Sequence, residues 1–213
     1  MAEKKRVVLT KEDVRKAMTR RYSEFKSLVF NELRKAMESR HRILVILSGD
    51  DAKRMGILTA DLLIHFIRRA VKKKTAFREE GLRILYIFHD EFDDAVIRER
   101  VTKRLVKRYV KRRKLGASIE VGVYEASERY LGTTYQALVM DLTHSLKPND
   151  IGRLIGIVEG GGLVILQVPP WMEWPQRENL FQMMLTVPQY PEPRRVFVRW
   201  FQAATLDSEG VFV

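Results

Sequence analysis

Residues Tyr130–Leu166 read YLGTTYQALVMDLTHSLKPNDIGRLIGIVEGGGLVIL, and this stretch decides the fold class. Gln136–Leu142 is a short apolar run of the kind that forms a buried strand. Pro148 is suited to open a helix, because its missing N–H is not needed in the first turn. Ile151, Leu154, Ile155 and Val158 then recur at helical spacing. Gly160, Gly161 and Gly162 are expected to stop that helix, since glycine tolerates the left-handed backbone of a helix end. Leu163–Val168 follows as a second buried strand. Strand, short helix and strand joined this tightly form a right-handed parallel crossover.

The same alternation extends outward. Strands are expected at Arg42–Leu47, Leu82–Phe88 and Ser118–Val123, separated by long helices over Ala52–Lys74 and Asp90–Lys114. Strands alternating with helices imply a parallel sheet covered on both faces. Upstream, Lys11–Glu38 reads as one amphipathic helix capped by Thr10, with Val14, Met18, Phe25, Val29 and Leu33 as its apolar stripe. Downstream, Pro193–Ala204 fits either a helix or a sixth strand. The apolar tail ending at Val213 fits either a chain cut before a following domain or a terminal strand docked on the sheet.

Composition excludes several classes. The 213 residues contain no cysteine, which removes disulfides, thiol catalysis and cysteine-bound metal. No apolar run is long enough for a membrane span, and the charged N-terminus is not a signal peptide, so a cytoplasmic location is the default. Abundant Lys, Arg and Glu without Cys suits a thermophile. The net charge of +12 is unevenly spread: residues 1–114 carry 32 Lys+Arg against 16 Asp+Glu, whereas residues 115–213 carry 7 against 11. That asymmetry points to a polyanionic partner on one side of the molecule, nucleic acid being the commonest.

The basic residues are concentrated. Arg98–Lys114 reads RERVTKRLVKRYVKRRK, ten cations to one anion. Ile97, Val101, Leu105, Tyr109 and Val110 are expected to face the core. Lys103, Arg104, Lys107, Arg108, Lys111 and Arg112 are then placed on the outer side as candidate RNA contacts. Arg68, Arg69, Lys72, Lys73, Lys74 and Arg78, at the end of the preceding helix, form a second cluster, the first five of them candidate RNA contacts. Like charges at i,i+4 weaken a helix, so a merely solvated face does not call for so many.

Catalytic patterns are weak. Neither G-x-x-x-x-G-K-[ST] nor G-x-G-x-x-G occurs. The triple glycine follows a helix and precedes a strand, the reverse of a phosphate loop. Ser48-Gly49-Asp50-Asp51 lies between strand and helix, but its carboxylates suit helix capping better than phosphate binding. Asp141 and His144, past a strand end, are a candidate acid/base pair without a nucleophile or further ligand. His89, Asp90, Glu91, Asp93 and Asp94 follow another strand, where a helix N-terminus attracts acids electrostatically. His41 and His65 join no ligand pattern, and no metal site is assigned. Trp171, Trp174 and Tyr190 are expected to pin a proline-rich loop to the core rather than to stack on bases.

Leu131-Gly132-Thr133-Thr134, Leu138-Val139-Met140-Asp141, Leu146-Lys147-Pro148-Asn149 and Val158-Glu159-Gly160-Gly161-Gly162-Leu163 together resemble the N-terminal domain of the tRNA(Met) cytidine acetyltransferase family. A weaker likeness covers His41–Phe201. The resemblance implies a larger polypeptide that makes N4-acetylcytidine. That polypeptide would have a helicase-like module using ATP and Mg, an acetyl-CoA-dependent acetyltransferase domain and RNA-binding parts. This chain is similar to the first domain alone, so no cofactor and no catalysis are expected within it. Its expected partners are tRNA and the helicase-like module. The expected fold is a Rossmann-like, RecA-like, mostly parallel α/β sheet over residues 41–213, preceded by a helical arm over residues 1–40. A free-standing nucleic-acid-binding α/β protein and a small enzyme using Asp141 and His144 are the alternatives.

Overall fold

The computed structural model describes residues 7–72, 81–192 and 194–213. The chain runs α1 (Lys11–Ala17), α2 (Arg20–Ser39), β1 (Ile43–Ser48), α3 (Ala52–Lys72), β2 (Leu82–Phe88), α4 (Asp93–Arg113) and β3 (Ala117–Val123). It continues through 3-10 turns (Tyr124–Tyr130), β4 (Tyr135–Asp141), α5 (Pro148–Ile155), β5 (Val158–Val168), α6 (Leu180–Met184), α7 (Val196–Leu206) and β6 (Val211–Phe212). The six strands form one sheet in the order β3-β2-β4-β5-β1-β6, and every pairing is parallel.

Strand side chains alternate between two cores, as a pleated sheet requires. Val45, Ile84, Tyr86, Val139 and Ile165 point to the side covered by α1–α4. Ile46, Leu85, Ile87, Leu138, Met140 and Leu166 point to the side covered by the 3-10 turns, α5 and α7. The long helices therefore lie together on one face, and α4 is fixed against α3 at Gly56. A Cβ there would stand 2.8 Å from the Val101 Cβ and 2.9 Å from the Arg98 carbonyl oxygen, while the Thr102 hydroxyl donates to the Gly56 carbonyl at 3.2 Å.

Two sequence expectations need correction. The N-terminal helix is two helices, because Thr19 breaks the run and caps α2, accepting from the Tyr22 N–H at 3.2 Å. Thr10 caps only α1, in a reciprocal box with Asp13. The β4–β5 crossover helix ends at Gly156, not at the triple glycine. β-Branched Val158 is instead the first residue of β5, paired with Tyr135. The glycines bulge out of that strand, since pairing resumes at Ala137–Leu163. Gly161 has φ +85° and donates its N–H to the His41 carbonyl at 2.8 Å. A Cβ on Gly160 would lie 2.5 Å from the Arg40 carbonyl oxygen. The run thus lets β5 pass close beneath the end of α2. Of the two forms that the sequence leaves open for Pro193–Ala204, the helix is the one formed, as α7 (Val196–Leu206), and the tail strand β6 pairs with β1 at Leu44–Val211 and Val45–Phe212.

α2 buries Val29, Phe30, Leu33 and Ala36 and is tied to α3 through Asp61. The Tyr22 hydroxyl and the Lys26 ammonium donate to that carboxylate at 2.8 and 2.9 Å. Burial alone would raise the Asp61 pKa, but bonds from His65, Lys26 and Tyr22 outweigh it and hold it at about 2. A depressed carboxylate stabilises the fold above its unfolded pKa, and that contribution disappears as pH falls through the folded value. Stability measured by urea titration is therefore expected to fall between about pH 4 and pH 2, and the Asp61→Asn variant should lose part of that slope. Identical acid limbs for the two proteins would contradict the role given to Asp61.

Candidate nucleic-acid interface

The carboxyl edge of a parallel sheet is where ligands gather, above all where neighbouring strands send their chains to opposite faces. β2 and β4 are such neighbours: β2 leads to α4 on one face and β4 to α5 on the other. Asp141 ends β4 there, with its side chain 1% exposed. Its carboxylate accepts from Arg98 Nε at 2.6 Å and from the Thr143 hydroxyl at 2.6 Å. Arg98 also reaches Asp94 at 2.9 Å. His144 Nε2 lies 2.8 Å from Asp94 Oδ1, and its ring stacks on Phe92 at 3.7 Å.

Asp141 and His144 are thus each paired with a residue of α4 rather than with one another. Burial opposes the Arg98 charge, and Asp141 and Asp94 more than restore it. Burial likewise opposes ionisation of Asp94, but His144 and Arg98 hold its carboxyl well below the ordinary range. A cleft of about 320 Å³ opens beside this network, lined by Asp50, Asp94, Arg98, Thr143, His144 and Arg177 among others. Both of its arginines are already neutralised, Arg177 by Asp50 at 2.6 Å and Glu173 at 2.7 Å. Asp51 caps α3 through the Arg54 N–H at 2.9 Å. The loop after β1 is therefore committed to helix capping, as expected from sequence.

The basic residues gather at the other end of the same helices. At 1.5 Å per residue, Asp94 and Arg112 are separated by about 27 Å along α4. Arg104, Lys107, Arg108, Lys111, Arg112, Arg113 and Lys114 are exposed, and none has an acidic partner among the described residues. Lys103 differs from them: it is half-buried and pairs with Glu99 at 3.2 Å. Arg68, exposed at the end of α3, shares a hollow of about 280 Å³ with Val71, Tyr109, Arg113 and Leu115. Of the second basic cluster read from sequence, Arg68 thus meets Arg113 of α4 at that end. Arg69 is half-buried, with its guanidinium 5.3 Å from the centre of the Phe30 ring. Lys72 is the last described residue of α3, and Lys73, Lys74 and Arg78 lie outside the described residues.

Arg98 opens the basic run read from the sequence but is not one of its surface cations: it is 1% exposed. Two signals marked it: Asp94 stands four residues before it, and Arg98, Val101, Thr102 and Val106 share one helical face. In the proline-rich loop, Trp174 is buried against Phe201 at 5.9 Å, as expected. Tyr190 is 66% exposed and faces Arg194 instead. On the opposite face of the sheet, α5, α7 and β6 frame an apolar groove of about 440 Å³.

With the sheet, its carboxyl edge and its basic end in place, comparison with known proteins is informative. Residues 18–213 match the family model described as tRNA(Met) cytidine acetyltransferase TmcA, N-terminal. The chain belongs to this N-terminal domain family. It is 33% identical over 187 residues to the tRNA(Met) cytidine acetyltransferase TmcA of Thermofilum pendens, covering 87% of this chain and 21% of that protein. The Methanopyrus kandleri protein of the same name is 30% identical, with 85% and 21% covered. That of Thermococcus kodakarensis is 28% identical, with 85% and 23% covered. The chain thus spans about a fifth of the length of these TmcA relatives. Among the described residues, no helix is long and apolar enough to cross a membrane.

Truncating Arg98 to Ala leaves Asp141 buried without its cation, so a drop of about 3–5 kcal/mol in urea-unfolding stability is expected. Arg112→Ala, on the exposed side of the same helix, should stay within about 0.5 kcal/mol of wild type. Equal costs for the two would contradict the buried-anchor reading of Arg98.

Proposed function

We propose that this chain is the N-terminal domain of an RNA cytidine N4-acetyltransferase. It helps hold tRNA by phosphate contacts from the basic end of α3 and α4. The chemistry, with its acetyl-CoA, ATP and Mg, belongs to parts of the polypeptide beyond this span. One observation carries the RNA role: the outer face of α4 presents exposed cations with no acidic partners among the described residues. A surface with no polyanion to meet gains nothing from such mutual repulsion, whereas a polyanion releases counterions on contact with it. The contacts are to phosphate, so they position RNA without reading its sequence.

The opposite face suits packing on the helicase-like module of the same polypeptide. There Trp200 is 61%, Val196 68% and Leu206 64% exposed beside the apolar groove, an unusual concentration for a solvated surface. The two faces divide the work, with charge for RNA on one and apolar area for protein on the other.

The test is titration of fluorescently labelled tRNA at several salt concentrations, comparing wild type with Lys107→Glu/Lys111→Glu/Arg112→Glu. These side chains face water, so circular dichroism should be unchanged. For every phosphate that the variant no longer neutralises, the log–log salt slope should fall by about 0.7–0.9. Equal affinities and equal slopes would overturn the RNA role. In the same preparations, neither ATP hydrolysis nor RNA acetylation is expected from the 213 residues alone, and turnover that survives removal of contaminants would contradict that division of labour.

A further inference from the structure

His89, Glu91 and Glu125 form a second constellation at the carboxyl edge, apart from the Arg98 network. His89 and Glu91 follow β2, and Glu125 comes from the 3-10 turns after β3, the neighbouring strand. One ligand atom from each lies within 4.8 Å of the others. His89 is 3% exposed, and neither of its ring nitrogens has a hydrogen-bond partner. Buried imidazole nitrogens are ordinarily satisfied, so this pair calls for an explanation.

The distances supply one. His89 Nδ1 stands 3.4 Å from Glu91 Oε1 and 3.4 Å from Glu125 Oε1. Both carboxylates are close, yet neither meets it in hydrogen-bond geometry. Ligands bound at about 2.05 Å to a tetrahedral ion sit about 3.3 Å from each other. The two spacings from His89 match edges of such a tetrahedron, and the two carboxylate atoms lie within 4.8 Å of one another. The imidazole is held in place by Tyr124, whose ring centre is 4.6 Å away, and by the edge-on ring of Phe92 at 6.4 Å. Glu91 and Glu125 are half or more exposed at their side chains, which gives an ion a path in. Asp150 on α5 lies near enough to feel the charges of both His89 and Glu125.

We propose that His89, Glu91 and Glu125 bind one divalent transition-metal ion of the zinc class. The imidazole selects for zinc-like ions over magnesium and calcium, and the two carboxylates neutralise the dication. Three protein ligands leave a fourth position facing solvent, open to water or another oxygen ligand. Bound there, the ion would clamp the loop after β2 to the turns after β3. The sequence could not supply this set, because Glu125 lies 34 residues beyond Glu91 and only the β2–β3 pairing brings them together.

The test uses the tag-free 213-residue chain, with Co²⁺ as the spectroscopic probe and Zn²⁺ as competitor. Wild type should bind one Co²⁺ with the visible absorption of a four-coordinate ion, and Zn²⁺ should displace it stoichiometrically. Glu91→Ala and Glu125→Ala alter exposed side chains and should preserve the circular dichroism spectrum. Each should weaken binding by about tenfold or more. His89→Ala should abolish binding, but the two Glu variants carry the test should that protein fail to fold. Mg²⁺ and Ca²⁺ should not compete. Absence of stoichiometric Co²⁺ or Zn²⁺ binding by wild type would overturn the site. So would unchanged affinity in the double Glu variant.

Discussion

Arg98 holds the molecule's functional geometry in place. Its guanidinium lies beneath the surface, bonded to Asp141 at the end of β4 and to Asp94 one turn earlier on its own helix. A buried charge tolerates no misplacement, because removing either partner leaves an ion stranded in a medium that solvates it poorly. The bond therefore fixes the rotation of α4 about its axis and its position along the sheet. With Arg98, Val101, Thr102 and Val106 turned inward, the remaining basic residues of the helix have only the outward side to occupy. The close contact at Gly56 fixes the same helix against α3, so the end of α3 is carried into the same surface.

This arrangement separates two kinds of electrostatics. At the carboxyl edge every described arginine of the cleft is neutralised by carboxylates. About 27 Å away along α4, the cations are exposed and uncompensated among the described residues. The first arrangement favours a fixed structure. The second favours an extended polyanion, since each added phosphate contributes independently and none needs a preformed cavity. A small phosphorylated ligand would instead need converging N–H groups at a helix start, and the loop before α3 spends its available carboxylate on capping.

Much of the fold was legible from local pattern. The β2 limits follow from LRILYIF alone, and the helix opening at Pro148 follows from the chemistry of proline. Part of what escaped depended on contacts between distant residues. Whether the glycines stop a helix or let a strand pass under α2 is decided by the Arg40 carbonyl, more than a hundred residues earlier. The break at Thr19 was hidden because threonine also occurs inside helices. The outward cations at Arg104–Arg112 were readable from helical spacing. For the inward Arg98, Asp94 and the shared helical face were local signals, but its partner Asp141 comes 43 residues later and no spacing reveals it. Lys103 was grouped with the free cations although Glu99, one turn before it, was visible in the sequence as its partner.

The most direct test of the proposed RNA surface is amide hydrogen exchange of the chain with and without tRNA, read by mass spectrometry. Protection is expected over residues 104–114 and the end of α3, with the carboxyl-edge segments at 89–94 and 141–147 unchanged. Protection confined to the carboxyl edge, or none along α4, would contradict the assignment of the RNA surface to the basic end of these helices.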